Sequence, residues 1–576
     1  EASEADSEDP DKKKSFFKKK KDKKDEQIEE LIQPTIQELH DILGLDYQKS
    51  LLFLKGMYLS EDNLWQLEDD FAKALMIEPE MINDPYVRNR IWQMLRKRIK
   101  EAKVGVIRVH GNYSIISGDP YALCQSMFGM EVTGLLKAGE LYNKYWIDKG
   151  TPYVSCFRAP MSCHNNIVKL KVACTDKMEY WYRYMNTCTI LNAWDTTTHA
   201  TNGADKDGDM YFLTDNKVLV ENTLNLPCIM CVQRKAPKKI VEEKDLILAN
   251  KNSFGDDIGK TTNRVTTMFD VQARFAVGTE EHDILAYRII CGELYQQNAI
   301  DKVKGIVAKP MPKEWYSRDA NRIADTDTPE IIQRKEMNNT IVADKKPYFM
   351  RYIYPDLMKK YNTYIKNADK KSIRQFGVSV KELQHKKNKT PEEQEFLQYY
   401  EMKLPVGDHP CVQNRICKRI EREFDGYIQN HPPAKEFDYT ILKTGVSYSR
   451  TQYQAIADLK IQYQKKVQEF VTDAYYRRID PDDAVVAKAM LLRSFRQRCS
   501  EICSKEEQLC NIVLDLCYRN NQSKQFAWDI CGTQIIENLL NRHDRRISFP
   551  VLDEDGEIEF GGKKFTMTTM IEGVDL

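Results

Sequence analysis

Apolar residues recur every three or four positions through much of the chain, the spacing that puts them on one face of a helix. After Pro34, Ile36, Leu39 and Leu43 keep this spacing, and Val87, Ile91, Met94, Leu95 and Ile99 form a second stripe. Residues 27–103 are therefore predicted to be helical. Arg88, Arg90, Arg96, Lys97 and Lys100 share the other face of the second stripe, a solvated face or a phosphate-contacting one. From 104 the pattern changes to short β-branched and aromatic runs: VGVIRV, YSII, TPYVSCF, IVKLKV, TCTIL, MYFL and KVLV, punctuated by Asn, Gly, Asp and Pro. IVKLKV alternates with period two, placing Lys169 and Lys171 on one face. Short helices are predicted near Pro120–Phe128 and Glu179–Met185. Past about 258, helical spacing returns, with long candidates at Ile284–Ala299, Tyr453–Tyr476 and Pro481–Tyr518, and a closing hairpin over Ser548–Met567 around Asp555-Gly556.

The fold class predicted is α+β. A charged, disordered tail (1–26) precedes a helical segment (27–103), a β-rich domain (104–240), helices and a connection (241–350) and a helical region with the hairpin (351–576). The tail is acidic to Asp9 and then lysine-rich from Lys12 to Lys24, a pattern of solvated segments that also suits a nucleic-acid-binding arm.

The 576 residues correspond to roughly three to four domains. Lys+Arg and Asp+Glu are both 86, so the chain does not simply coat nucleic acid, although a local basic channel remains compatible with zero net charge. No run approaches the ~18 consecutive apolar residues of a membrane span, and the first 25 residues lack the apolar core of a signal peptide. The 15 cysteines are scattered and read as reduced thiols.

One segment carries chemistry. In Gly203-Ala204-Asp205-Lys206-Asp207-Gly208-Asp209, three aspartates fall at i, i+2 and i+4, ahead of the strand signal MYFL. Carboxylates this close repel one another, and are tolerated where a cation offsets the repulsion or where all are solvated. Oxygen ligands without His or Cys suit Mg²⁺. An EF-hand is excluded, since its sixth and twelfth loop positions would be Met210 and Asn216 rather than Gly and Glu. A plain acidic turn is the other reading of the five residues.

GADKDGDMYFL resembles the catalytic loop of the double-psi β-barrel RNA polymerases, especially the cell-encoded RNA-silencing RNA-dependent polymerases and their single-chain phage relatives. Four further stretches are similar, in the family's order: Gly111–Ile116 with Thr133–Tyr142; Phe157-Arg158-Ala159-Pro160; Ile258–Asn263; and Ala299–Gly305. The resemblance covers roughly 104–310. Lys206 and Val303 depart from the family pattern, and neither change removes a ligand.

The resemblance implies that 104–240 is a double-psi β-barrel followed by a mainly helical head or clamp. It implies a nucleotidyltransferase adding ribonucleotides to an RNA 3′ end on a template, with Asp205, Asp207 and Asp209 holding catalytic Mg²⁺. Arg158 would lie near the nucleotide's ribose, His164 near substrate, and Lys302 and Lys304 against phosphates. Implied partners are template, RNA product and ribonucleoside triphosphates, with no membrane. The family pairs two barrels. Only helical sequence precedes 104 and the chain starts at Glu1, so a second barrel is expected from a missing N-terminal part or a separate subunit. The resemblance suggests a phage or bacterial cytoplasmic setting, with virion packaging compatible. A metal-dependent nuclease and a non-catalytic nucleic-acid-binding protein with a metal-binding turn are the alternatives, and no residue decides between DNA and RNA templates.

Cys228-Ile229-Met230-Cys231 has no second CxxC and reads as a buried strand. Cys499, Cys503, Cys510 and Cys517 read as core packing along one helix face, and His199 as a structural histidine.

Overall fold

The computed structural model describes residues 10–55, 69–238, 240–253, 256–429, 436–477, 480–520 and 523–571. The chain divides into two compact units, Glu1–Ile32 with Ala102–Glu421 and Gln33–Glu101 with Arg422–Leu576.

Six strands in the first unit close into a barrel: β1 (Asn112–Ser117), β2 (Glu140–Tyr142), β3 (Tyr153–Phe157), β4 (Val168–Val172), β5 (Cys188–Leu191) and β6 (Met210–Thr214), in the order β1-β5-β2-β4-β3-β6. The pairs β1/β5 and β2/β4 are parallel and the other four antiparallel. This closed, crossed barrel within a largely helical chain is the α+β architecture expected. Alternation fills its interior: Ile116, Leu141, Trp146, Val154, Cys156, Leu170, Leu191, Tyr211 and Leu213 are buried in one cluster. Lys169 and Lys171 flank buried Leu170, as period two requires, and Lys171 pairs with Glu140 at 3.1 Å.

Five of the seven β-like runs are strands. Val104–Val109 is irregular. KVLV lies in the helix Lys217–Asn222, which begins where the Asn216 side chain accepts from the Leu219 N–H. A good N-cap outweighs β-branched propensity over so short a run. The short strand β2 has no periodic signal of its own, and exists because Leu141 finds partners on β4 and β5.

Beyond the barrel, the helices Asp257–Gln272 and Glu280–Ile300 pack together, with Val265, Met268, Leu285 and Ile289 buried between them. The connection expected within 241–350 contains the helix Pro329–Ile341, and the region read as helical includes Val380–His385 and Pro391–Lys403. At the other end of this unit, helix begins at Pro10, inside the segment read as a charged tail, because nothing between Asp11 and Gln33 breaks a helix. Residues 1–9 of that tail lie outside the described residues.

The second unit joins helices to a three-stranded sheet, β7 (Arg546–Leu552), β8 (Ile558–Phe560) and β9 (Lys563–Ile571), in the order β7-β9-β8. The pairing expected within Ser548–Met567 is present between β7 and β9, but Asp555-Gly556 is not its turn: it links β7 to β8, which pairs with β9 and not with β7. Pro481–Tyr518 is two helices, Pro481–Ile502 and Glu506–Tyr518, separated where Cys503 adopts an extended conformation. Cys499, Cys503, Cys510 and Cys517 are all buried, as core packing requires, but on two helices and the break between them and not along one helix face.

Candidate functional site

The aspartate loop links the short helix Thr197–Ala200 to β6. Three residues make the sharp path. Asn202, Gly203 and Gly208 have φ of 59°, 61° and 127°. A Cβ on Gly208 would meet nothing within 4 Å, so the glycine is required by backbone conformation rather than by space. Strand pairing then fixes the loop's end: the Ile116 N–H donates to the Asp209 carbonyl at 2.9 Å.

Arg158 follows β3, whose antiparallel partner is β6, with Phe157 opposite Phe212. The end of β3 and the start of β6 therefore lie side by side, and Arg158 reaches the aspartate loop. Its Nη2 pairs with Asp209 Oδ2 at 2.7 Å, and its Nη1 donates to the Asn202 carbonyl at 3.1 Å and the Thr201 carbonyl at 3.4 Å. The Asp205 N–H donates to the same Asp209 oxygen at 2.8 Å, closing the loop on itself. Lys304, on the turn after the helix Glu280–Ile300, lies 3.6 Å from Asp205 and 3.1 Å from Asp301. Asp301 first and Asp205 second raise the Lys304 pKa. Burial would raise that of Asp301, but donors from Gln233 and Lys304 outweigh it and hold it low.

The structure thus joins Arg158 to Asp209 and Lys304 to Asp205, while Asp207 shares their loop and its side chain meets none of them. Lys302 turns instead to Asp257, at 3.1 Å. The His164 ring packs 5.0 Å from that of Phe269; desolvation lowers its pKa although part of the ring stays open to solvent. The His199 side chain is exposed, and its backbone carbonyl accepts from the Gly203 N–H, a contact that does not depend on the imidazole. The CxxC segment is not a strand: it is irregular and half-exposed, with Cys231 facing the Leu294 carbonyl.

Four buried polar residues that the sequence did not single out support these loops. Asn202 Nδ2 donates to the Pro160 carbonyl at 2.7 Å, and Asn166 Nδ2 to the Ala200 carbonyl at 3.0 Å. Glu293 accepts from Ser162 Oγ and from Gln297 at 2.9 Å. Gln296, fully buried, donates to Thr262 Oγ1 at 2.6 Å and faces Asn202 at 3.5 Å. The one trace in the sequence is that Glu293 and Gln296 interrupt an apolar helix, which is common on any half-buried face.

The chemistry of the loop suits a hard cation: three carboxylates, no nitrogen or sulfur donor, and Asp207 exposed with no polar partner among the described residues. In this arrangement protein cations offset the charge of Asp209 and Asp205, and no three His, Cys, Asp or Glu side chains among the described residues converge to hold a metal ion.

No family model matches the chain. It is 23% identical over 253 residues to the DNA-directed RNA polymerase YonO of Bacillus phage SPbeta, a match covering 43% of this chain and 29% of that protein. The chain thus spans under a third of the curated relative it matches. Among solved structures, the RNA-dependent RNA polymerase QDE-1 from Thielavia terrestris aligns with TM-score 0.42 at 9% identity, covering 89% of this chain and 54% of that one. The sequence similarity is to an RNA polymerase, the class that the loop and its companion motifs resemble. No helix among the described residues is long and apolar enough to cross a membrane.

Proposed function

We propose that this chain is the catalytic part of a template-directed RNA polymerase, with Asp205, Asp207 and Asp209 as its Mg²⁺ ligands. The observation that carries the reading is the aspartate loop held at one end of a closed barrel by Arg158. The similarity to a phage RNA polymerase supports it. When bound, Mg²⁺ supplies activation of the attacking 3′-hydroxyl and neutralisation of charge on the departing pyrophosphate.

The chain's own residues supply position. Asp207 stands free to receive a cation. Arg158 fixes the loop through two carbonyls and Asp209, and its Nε, without a partner among the described residues, is the edge left for a ribose or phosphate oxygen. Lys304 sits beside Asp205 at the loop's open side, placed to meet phosphate when the carboxylate turns to metal. His164 and Lys302 are assigned to substrate on the resemblance alone. The described strands close one barrel and one separate three-stranded sheet, so the lysines of a facing barrel would come from further polypeptide or a partner chain.

The test is to incubate the full chain with four ribonucleotides, Mg²⁺ and single-stranded DNA or RNA, alone and with the companion polypeptide. Labelled RNA should lengthen, and Asp207→Ala should abolish this. Shortening of the label would indicate a nuclease, and equal synthesis by Asp207→Ala would remove the triad from the mechanism.

A further inference from the structure

The helix Pro355–Phe376 belongs to the same unit as the aspartate loop and carries an unusual charge distribution. Between Pro355 and Thr390 the chain has ten Lys or Arg and three Asp or Glu, against a net charge of zero overall. At 3.6 residues per turn, Lys359, Lys366, Lys370 and Arg374 fall within about 80° of one another on the helix surface, with Lys360 and Lys371 flanking them. All six are exposed, and none has an ion-pair partner among the described residues. The helix is about 33 Å long.

This face differs from the basic face that the sequence first suggested, on the helix Pro85–Lys103. There Arg88 is buried, Arg90 lies 3.9 Å from Asp69, Lys97 4.0 Å from Glu101 and Arg98 3.7 Å from Glu38. Of the five cations of that face three are thus buried or paired, while Arg96 and Lys100 are exposed without an ion pair among the described residues; on Pro355–Phe376 all six are exposed and unpaired.

We infer that the basic face of Pro355–Phe376 binds the phosphate backbone of nucleic acid. Charge complementarity selects the occupant: six unpaired cations on one arc, with a single acid, Asp356, at its N-terminal end, match a continuous polyanion. An anionic membrane would also want cations, but it needs an apolar face beside them. The apolar side of this helix is already used, since Leu357, Tyr361, Tyr364 and Ile365 pack into one core cluster and Ala368 into another, opposite the cations. Of the three acids, Asp356 is exposed in the first turn of the helix, Asp369 caps the next helix by accepting from the Val380 N–H at 3.0 Å, and Glu382 is taken up in a capping box with Ser379. Lys381 and Lys387 continue the exposed basic surface beyond the helix. The inference deepens the polymerase reading by naming where template or product would be held.

The test uses the full chain without Mg²⁺ or nucleotides, so that binding is separated from synthesis. Fluorescence anisotropy with duplex and single-stranded probes would be followed from 50 to 200 mM salt. The triple variant Lys366→Gln, Lys370→Gln, Arg374→Gln keeps long, helix-favouring side chains at exposed positions, with its fold checked by circular dichroism. Each lost phosphate contact lowers the slope of log K against log salt by about 0.9 for duplex and about 0.7 for single strands, so the slope should fall by about 2 to 3. Affinity should drop on the order of tenfold or more at 0.1 M salt. A matched triple on exposed cations of the other unit, Lys465→Gln, Lys488→Gln, Arg493→Gln, should change both far less. An unchanged slope in the first triple, or equal losses in both, would overturn the assignment, as would tighter binding to phosphatidylserine vesicles that the first triple abolishes. Loss of binding in the first triple, with no RNA made by the wild-type chain even together with its companion polypeptide, would leave this surface standing and remove the polymerase reading. Synthesis with unchanged binding would do the reverse.

Discussion

Replacing Arg158 with lysine probes how the aspartate loop is held. The guanidinium makes three contacts with the loop: Asp209 Oδ2 at 2.7 Å and the carbonyls of Asn202 and Thr201 at 3.1 and 3.4 Å. One ammonium can keep the carboxylate but cannot span the two carbonyls as well. The side chain is 17% exposed and Thr201 is fully buried, so water restores little of what is lost. Two charge-assisted hydrogen bonds to carbonyls, one of them long at 3.4 Å, with the cation itself retained by lysine, give a local cost of about 2 kcal/mol. Because the chain has two units, a global melt is a poor reporter. Amide hydrogen exchange read on a peptide spanning 196–213 is a better one. There the Asp205 N–H bonds to Asp209, the Ala204 N–H to the Thr198 carbonyl and the Gly203 N–H to the His199 carbonyl. A cost of about 2 kcal/mol should speed exchange of these amides roughly 30-fold, while peptides from the second unit stay unchanged. Exchange within twofold of wild type would refute the idea that the fork holds the loop. If Arg158 also reads the ribose, the variant should lose discrimination between ribo- and deoxyribonucleotides, measured as the ratio of kcat/KM.

Asp207→Ala should abolish elongation without loosening the fold, because the exposed carboxylate has no internal partner; a melting temperature within about 2 °C of wild type checks the second half. Asp270 is fully buried and burial pushes its pKa up to about 7, so ionising it opposes folding. Stability of this unit should therefore fall as pH rises from about 4 to 7 and level off above. The full penalty is on the order of 4 kcal/mol, and Asp270→Asn should flatten the dependence in urea titrations across pH. Gly111→Ala would place a Cβ 2.5 Å from the Leu213 carbonyl and 2.6 Å from the Phe212 ring, so it should weaken the β1/β6 end of the barrel by about 1–3 kcal/mol, seen as faster exchange in 112–117. Trp146→Ala should cost about 3–5 kcal/mol, since the ring fills the barrel interior and its Nε1 donates to Asn112 at 2.9 Å.

The sequence by itself determined whatever depends on neighbours along the chain. Period-two alternation placed Leu170 inward between two lysines, helical spacing marked Ile284–Ala299 within the helix Glu280–Ile300, and the spacing of three aspartates around Gly208 marked the loop. Tertiary structure decided what depends on neighbours in space. Glu140–Tyr142 is a strand only because β4 and β5 flank it, and KVLV is a helix because the chain must turn after β6 beneath an asparagine cap. Arg158 stands 47 to 51 residues before the three aspartates, and only the antiparallel pairing of β3 with β6 delivers its guanidinium to Asp209. Lys302 and Lys304, two residues apart and alike in sequence, face Asp257 and Asp205 because a one-turn helix sends them in different directions. The supporting roles of Asn166, Asn202, Glu293 and Gln296 were invisible for the same reason: a polar residue shows what it can bond to, while its burial and its partner are set by elements distant in the chain.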